Sequence, residues 1–579
     1  MKLVKCSVIL LSAVTISLSS CANAIKQDAS QGGEQSPSTL SDTKQELQAN
    51  QALNTGTAAK PAAPAIRKQK SEEKVPGYYH DKVIDEQPPK EIDNTLNHNT
   101  EDYNRINDNP FLEAQRNPLS TFSIDVDTAS YSNLRRFLEN NQSPPADAVR
   151  IEEMINYFPY SYPEPTGDKP FSVSTDLSTS PWNPQHKLLR IGLKGKSIEL
   201  NKLPPQNLVF LLDVSGSMSD DNKLPLLKRS LKLLVDQLRD QDRVSIVVYA
   251  GAAGLVLPPT NGAKKEAIFD ALDRLEAGGS TAGSAGIQLA YETAQKNFRS
   301  DANNRVILAT DGDFNVGPSS DAELTRMIED KRKAGVFLTV LGYGMGNIKD
   351  SKMEQMADKG NGNYAYIDSL LEARKVLVQE MGGTMQTIAK DVKLQLEFNP
   401  AKVKSYRLIG YENRLLAAED FNDDTKDAGE MGAGTTVTAL YEIVPNDGRM
   451  VSNETQKPAV DPLRYQQNQL QDPAQSSNEL LMLKLRYKSP HSDTSQLISQ
   501  AVQDQPVNWQ NVSQDFRFAA AVAGFGMQLR QSEHKGNWTI QNVLDQAQQG
   551  IGSDPQGYRK AFVELVKKSQ QIKIAQRSE

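Results

Sequence analysis

From about Asn207 to Glu380 the chain alternates short apolar runs with stretches whose apolar residues fall on one helical face. "NLVFLLD", "RVSIVVYA", "NRVILATDGD" and "VFLTVLGYG" are Val/Ile/Leu runs of strand length bounded by turn residues, so they predict strands. Between them, "LPLLKRSLKLLVDQL", "KKEAIFDALDRL", "TAGSAGIQLAYETAQKNF" and "SDAELTRMIEDKRKAG" predict helices. The strand runs are continuous rather than alternating, as in a sheet covered on both faces. Strand–helix alternation of this kind predicts an α/β unit, doubly wound and mainly parallel in the Rossmann manner, over residues 201–382.

The period changes on either side. Upstream, "TFSIDVDTASYSNLRRFLENN" reads as a strand running into a helix, and "ADAVRIEEMINYF" as a second helix after the Pro144-Pro145 pair. "FSVSTDLSTSPW" and "HKLLRIGLKGK" read as strands, completing an N-terminal α+β extension over 118–200. Downstream, "DVKLQLEF", "SYRLIGYE", "GTTVTALYEIVP" and "ELLMLKLRYK" predict a mostly antiparallel, β-rich domain over 383–490, with a Gln-rich exposed loop from Asp461 to Asn478. A helical C-terminal region, 491–579, follows. Its first helix, "FRFAAAVAGFGM", is expected to be buried in protein rather than in a membrane, because Arg517 interrupts it and it is too short to span.

Composition changes the picture mainly at the N-terminus. Residues 21–117 are rich in Gln, Asn, Ser, Pro, Ala and Lys and poor in aromatics, which predicts a disordered tether. A flexible chain of that length averages on the order of 50–60 Å end to end. Ahead of it, "MKLVKCSVILLSAVTISLSSC" has two lysines, a short apolar stretch and small residues, which marks residues 1–20 as a secretory signal. "LSSC" resembles a bacterial lipobox, and that resemblance implies cleavage before Cys21 and attachment of diacylglycerol to its thiol. Cys6 leaves with the signal, so Cys21 would be the one cysteine of the mature chain, and modification is the best account of an unpaired exported cysteine. The expectation is a lipid-anchored protein of the bacterial cell envelope. By analogy with lipoprotein sorting in enterobacteria, Ala22 favours the outer membrane over the inner. A net charge of -7 argues against a nucleic-acid partner.

Candidate chemistry gathers where the predicted strands end, the edge at which ligands bind in such sheets. "LLDVSGSMSD" places Asp213, Ser215 and Ser217 at alternate positions after a strand. "GGSTAGSAG" offers Thr281 ahead of a helix, and "ILATDGD" offers Asp311 after a further strand. In order and context these elements resemble the von Willebrand factor type A (VWA) domains and their metal-ion-dependent adhesion site, whose pattern is DxSxS, a later threonine and an aspartate. The resemblance implies that Asp213, Ser215, Ser217, Thr281 and Asp311 ligate a divalent cation. An Asp or Glu carboxylate from a protein partner would then complete the ion's shell. Carboxylate and hydroxyl oxygens are hard ligands suited to magnesium first, with manganese or calcium as alternatives.

From about Leu119 to the C-terminus the chain is also similar to bacterial lipoproteins labelled calcium-activated chloride channel homologues. Channel activity is not carried over, because no apolar run of about 20 residues lies downstream of the signal. The HExxH protease motif of the animal proteins behind that label is missing around His80, His98, His186, His491 and His534. The expected role is therefore non-catalytic protein binding, with no small-molecule substrate implied. One rival is a metal-independent envelope scaffold or assembly factor; another is a hydrolase using ion-activated water, disfavoured by the lack of a histidine base. "VSGSM" is not a GxSxG elbow, and "GYGMG" lacks GxGxxG spacing and reads as a tight loop. Asp125, Asp127 and Ser130 in "DVDTAS" echo the acidic strand end; helix capping by Asp127 or Ser130 is favoured there over a second ion site.

Overall fold

The computed structural model describes residues 100–578 apart from 282, 313–320, 427, 447–475 and 491. The secretory signal, Cys21, the tether as far as residue 99 and nearly all of the Gln-rich insertion lie outside the described residues.

The chain enters with β1 (Leu112–Glu113), β2 (Leu119–Ser123), α1 (Ala129–Glu139) and α2 (Ile151–Asn156), then the hairpin of β3 (Phe171–Thr179) and β4 (Lys187–Gly195). Helix α2 begins later than its apolar spacing suggests. Ala146–Ala148 form a 3-10 turn, and Arg150 stays extended while its guanidinium bonds Glu153 and Asp350. The tether expected to run to residue 117 also needs correcting, because its end is packed. Ala114 is fully buried, and Asn109 donates to the carbonyls of Leu408 and Gly410. Glu101 forms a two-bonded ion pair with Arg136. Composition hides this order, since the segment folds onto other elements and has no core of its own.

Next comes the α/β unit: β5 (Gln206–Asp213), α3 (Leu224–Asp236), β6 (Arg243–Tyr249), β7 (Ala253–Asn261), α4 (Lys265–Asp273), α5 (Gly283–Lys296), β8 (Asn303–Thr310), α6 (Asp321–Lys333), β9 (Val336–Tyr343), α7 (Asp350–Lys359), β10 (Tyr364–Ile367), α8 (Leu370–Arg374) and α9 (Met381–Met385). Its six-stranded sheet runs β10-β9-β8-β5-β6-β7. All pairings are parallel except β6 with β7. The doubly wound, mainly parallel fold is therefore as the periodicity predicts. Strand β7 is not legible as a strand in sequence because Pro258 and Pro259 interrupt it; prolines lack the donor that a central strand needs, and β7 lies on the edge. Helices cover both faces, with Leu227, Leu231 and Ile268 buried on one side and Ile287, Tyr291 and Ile328 on the other.

The remainder comprises β11 (Thr387–Phe398), β12 (Val403–Ile409), β13 (Gly429–Gly432), β14 (Thr436–Pro445), β15 (Glu479–Lys488), β16 (Ser495–Gln503) and helices α10 (Gln514–Leu529), α11 (Ile540–Gln549) and α12 (Tyr558–Ser578). These strands do not form a domain of their own. One sheet runs β1-β12-β14-β4-β3, so the upstream hairpin pairs with downstream strands, Leu189 opposite Tyr441. In the other, β13-β11-β15-β16, β2 joins β11 with Phe122 opposite Leu394. Phe122, Ile191, Leu394, Phe398, Tyr441 and Leu483 share one core between the sheets. The α/β unit is thus an insertion between the two halves of a β-sandwich. Helix α10, buried as expected, packs against α2, and its Phe518 ring lies 4.9 Å from that of Phe158, just past the end of α2.

Helix α7 seats the inserted unit on the sandwich through a crowded set of carboxylates. Arg414 reaches Asp358 at 2.5 Å, Glu354 at 3.0 Å, Asp125 at 3.3 Å and Asp127 at 3.5 Å. Arg150 bonds Glu153 and Asp350 beside them. Acids outnumber these two cations. Burial first, and neighbouring carboxylates with it, push Glu153 and Asp358 each up to about 7. Folded-state values raised above the unfolded ones give stability that is full at low pH and lost as pH rises through about 7. The urea midpoint should accordingly fall between about pH 5 and pH 8, and the Asp358→Asn protein should show a flatter dependence. A midpoint that rises over this range would contradict this account of the seam.

Candidate ion-binding site at the carboxyl edge of the sheet

Asp213 ends β5 and is fully buried. Its position follows from strand order, since β5 lies between β6 and β8. Tyr249, the last residue of β6, and Thr310, the last of β8, each donate to Asp213 Oδ2 at 3.0 Å. The backbone N–H of Ser215 donates to Oδ1 at 2.9 Å as the chain turns into a 3-10 segment, Gly216–Ser219. Burial pushes this carboxyl above its usual range, partly offset by the bonds from Ser215; the charge of Asp311 adds to the rise. A cation beside it would relieve the cost of keeping the charge in a dry site.

The other predicted residues converge on the same edge. Ser215 is buried, Ser217 half-buried, and their hydroxyls lie 3.1 Å apart. Thr281 is half-buried, and the loop that precedes it lies against the serine turn. Gly278 N–H donates to Val214 O at 2.8 Å and Gly216 N–H to Gly279 O at 3.0 Å, lacing its loop to the 213–219 turn. Asp311, fully buried, follows β8 directly. Its Oδ2 accepts from Lys223 Nζ at 3.0 Å and, at the long limit, from Asn347 Nδ2 at 3.5 Å. Lys223 Nζ also donates to Ser217 O at 2.9 Å, so this ammonium ties the serine turn to Asp311.

Two carboxylates and neighbouring hydroxyls make a hard-oxygen donor set that fits magnesium, manganese or calcium. Among the described residues, no group of three or more His, Cys, Asp or Glu is placed to hold a metal. An ion at this edge would therefore depend on the hydroxyls of Ser215, Ser217 and Thr281 as well as on the carboxylates.

The loop following β9 forms one wall of the site and carries the end of the tether. Thr100 N–H donates to Gly346 O at 2.8 Å, Gly346 N–H donates to Glu101 Oε1 at 2.9 Å, and Asp102 N–H donates to Ile348 O at 3.0 Å. "GYGMG" is the tight loop expected, with Gly344 and Gly346 both at positive φ. The "DVDTAS" residues are neither an ion site nor a cap. Asp127 accepts from Tyr364 N–H at 2.7 Å and, like Asp125, faces Arg414. Ser130 donates to Ala148 O at 2.7 Å, while Thr128 occupies the N-cap position of α1. The strand before "DVDTAS", β2, belongs to the antiparallel sandwich rather than to the parallel sheet, and a distant arginine claims its acids.

Sequence reasoning misses Lys223, Tyr249, Thr310 and Asn347. Thr310 adjoins Asp311 in "ATDG" and Tyr249 ends a predicted strand, so both carried a positional signal. Lys223 begins an amphipathic helix, where a lysine reads as solvated, and only the tertiary fold shows its side chain to be 5% exposed.

Gly312 couples Asp311 to the β9 loop. It sits at φ +103, and a Cβ there would lie 2.5 Å from Asn347 O and 2.7 Å from Ile348 Cα. Gly312→Ala should therefore cost about 2 kcal/mol or more, from left-handed strain plus backbone displacement. Thermal denaturation would show a Tm several degrees lower, and an unchanged Tm would refute this reading of the loop contact.

Three family models match successive parts of the chain: "von Willebrand factor" over residues 97–190, "von Willebrand factor type A domain" over 207–380, and "Uncharacterized protein YfbK, C-terminal" over 383–572. The chain is 45% identical over 479 residues to the uncharacterized protein YfbK of Escherichia coli strain K12, covering 81% of each chain. It is 27% identical over 297 residues to the uncharacterized protein sll0103 of Synechocystis, covering 49% of this chain and 69% of the relative. Among solved structures, a von Willebrand factor type A protein from Catenulispora acidiphila is 16% identical with a TM-score of 0.37, covering 66% of this chain and 86% of that one. None of these matches supports the chloride-channel label, and among the described residues no helix is long and apolar enough to cross a membrane. The chain thus belongs to the family of Escherichia coli YfbK and carries a von Willebrand factor type A domain within a β-sandwich and helical frame.

Proposed function

We propose that this protein is a non-catalytic binding protein of the bacterial cell envelope that grips a protein partner through a divalent cation, magnesium foremost. Asp213, Ser215, Ser217, Thr281 and Asp311 are the proposed ligands, and a partner Asp or Glu carboxylate completes the shell. The observation that carries this reading is the pair of fully buried aspartates at one sheet edge, with serine hydroxyls beside them. A VWA domain suggests an adhesion or protein-interaction role, which agrees. The two serine hydroxyls bond each other, which supports a ligand role over a nucleophilic one.

A second reading, a metal-independent scaffold or assembly factor, draws on a specific observation: Lys223 already neutralises Asp311. Magnesium separates the two. An ion that binds only the folded chain stabilises it by about 2.7 kcal/mol at 100 times its Kd. Magnesium should raise the Tm of the full chain, and Asp213→Ala should abolish the rise. If magnesium, manganese and calcium all leave the wild-type melting curve where it was, the scaffold reading takes over.

Envelope anchoring is proposed on sequence alone, with Cys21 as the lipidated residue and the outer membrane favoured. Mass spectrometry of the mature N-terminus should find acyl chains on Cys21, and Cys21→Ser should move the protein from the membrane to the soluble fraction. An unmodified Cys21 would remove the anchor from the proposal.

A further inference from the structure

Neither the ion-site pattern nor the helix it precedes explains the chemistry of Lys223 at this edge. It stands at the N-terminus of α3, where a cation opposes the helix dipole, and the residue is 4% exposed. Its Nζ lies 3.0 Å from Asp311 Oδ2 and 2.9 Å from Ser217 O, and Asp220 Oδ2 is farther, at 3.7 Å, and exposed. Its methylene stem runs across Gly344, where any Cβ would overlap it. A buried ammonium is costly unless paired, and Asp311 is its fully buried anionic partner. Conversely, Asp311 without an ion would be a buried carboxylate needing a positive charge.

We propose that Lys223 is the affinity-determining residue of the ion site, an internal cation that holds Asp311 whenever the divalent ion is absent and opposes the ion when it binds. This rests on the reading of Asp213 and Asp311 as ion ligands. Two carboxylates and one ammonium leave the site with a single net negative charge. A divalent ion binds it more weakly than the oxygen set alone would allow, and the loaded site keeps a net positive charge for a partner carboxylate. Release of the ion leaves the edge folded, because the ammonium stays on Asp311.

The test is magnesium binding to the full chain by isothermal titration calorimetry, comparing wild type with Lys223→Met, Lys223→Gln and Lys223→Arg. Both neutral variants should bind magnesium roughly tenfold more tightly, the scale of one partly screened unit charge a few ångströms from the ion. They should also show a larger magnesium-induced rise in Tm, while the arginine variant stays near wild type. Wild-type binding that is unchanged or weaker in both neutral variants overturns the role of Lys223 and leaves the ion site standing. Binding by the neutral variants but not by wild type supports Lys223 as a lock and overturns ion-dependent adhesion by the native protein. No binding by any of the four overturns both. Neutral variants that fail to fold with or without magnesium overturn the inference too, since the lysine would then be purely structural.

Discussion

A buried carboxylate at a strand end is an expensive object, and much of the α/β unit is arranged so that Asp213 can be one. Water is excluded from it, so every lone pair must be met by a protein donor or an ion. Tyr249 and Thr310 supply donors because β6 and β8 flank β5 and end level with it. Ser215 supplies another because the chain turns at once. Moving any of the three strands by one residue would leave the acid unmatched. The register of the central sheet and the geometry of the candidate site are therefore the same constraint seen from two sides.

The frame around the unit works differently. A sandwich whose sheets each mix strands from before and after the insertion cannot close until both ends of the α/β unit have returned to one place. Loop closure over such a separation costs entropy, but only logarithmically in length. The shared apolar core of the two sheets offsets it. Arg414 and Arg150 then join the sandwich side to α7 amid surplus carboxylates, a seam whose charge balance depends on pH. Residues 100–102 lie along the loop before α7, whose Asn347 reaches Asp311. The folded end of the tether and the candidate site thus share a wall.

The central fold was legible because both faces of its sheet are covered, which writes continuous apolar strands and one-sided helices directly into the residue order. β7 was not, because its place at the edge tolerates prolines that a local pattern treats as a break. The flanking regions read as strands and helices, except that the stretch from residue 491 expected to be helical opens with strand β16, paired to β15, and they did not read as one body. Pairing of β4 with β14 or β2 with β11 joins residues hundreds of positions apart and leaves no periodic trace. Asp125 and Asp127 show the opposite failure: a local resemblance to the acidic strand end, resolved by an arginine far along the chain.

The sequence by itself determined the alternating α/β unit, the antiparallel strands and helices around it, and the residue types able to hold a hard cation at one sheet edge. Those properties are local, since periodicity and side-chain chemistry are carried by each segment alone. Only the tertiary structure decided that the outer segments close into a single sandwich, that the tether's last residues pack, and that a lysine reading as solvated is buried on Asp311. Each of these depends on which surfaces meet, and burial changes what a charge does. Lys223 would be an ordinary solvated cation on an isolated helix, and against Asp311 it becomes part of the site.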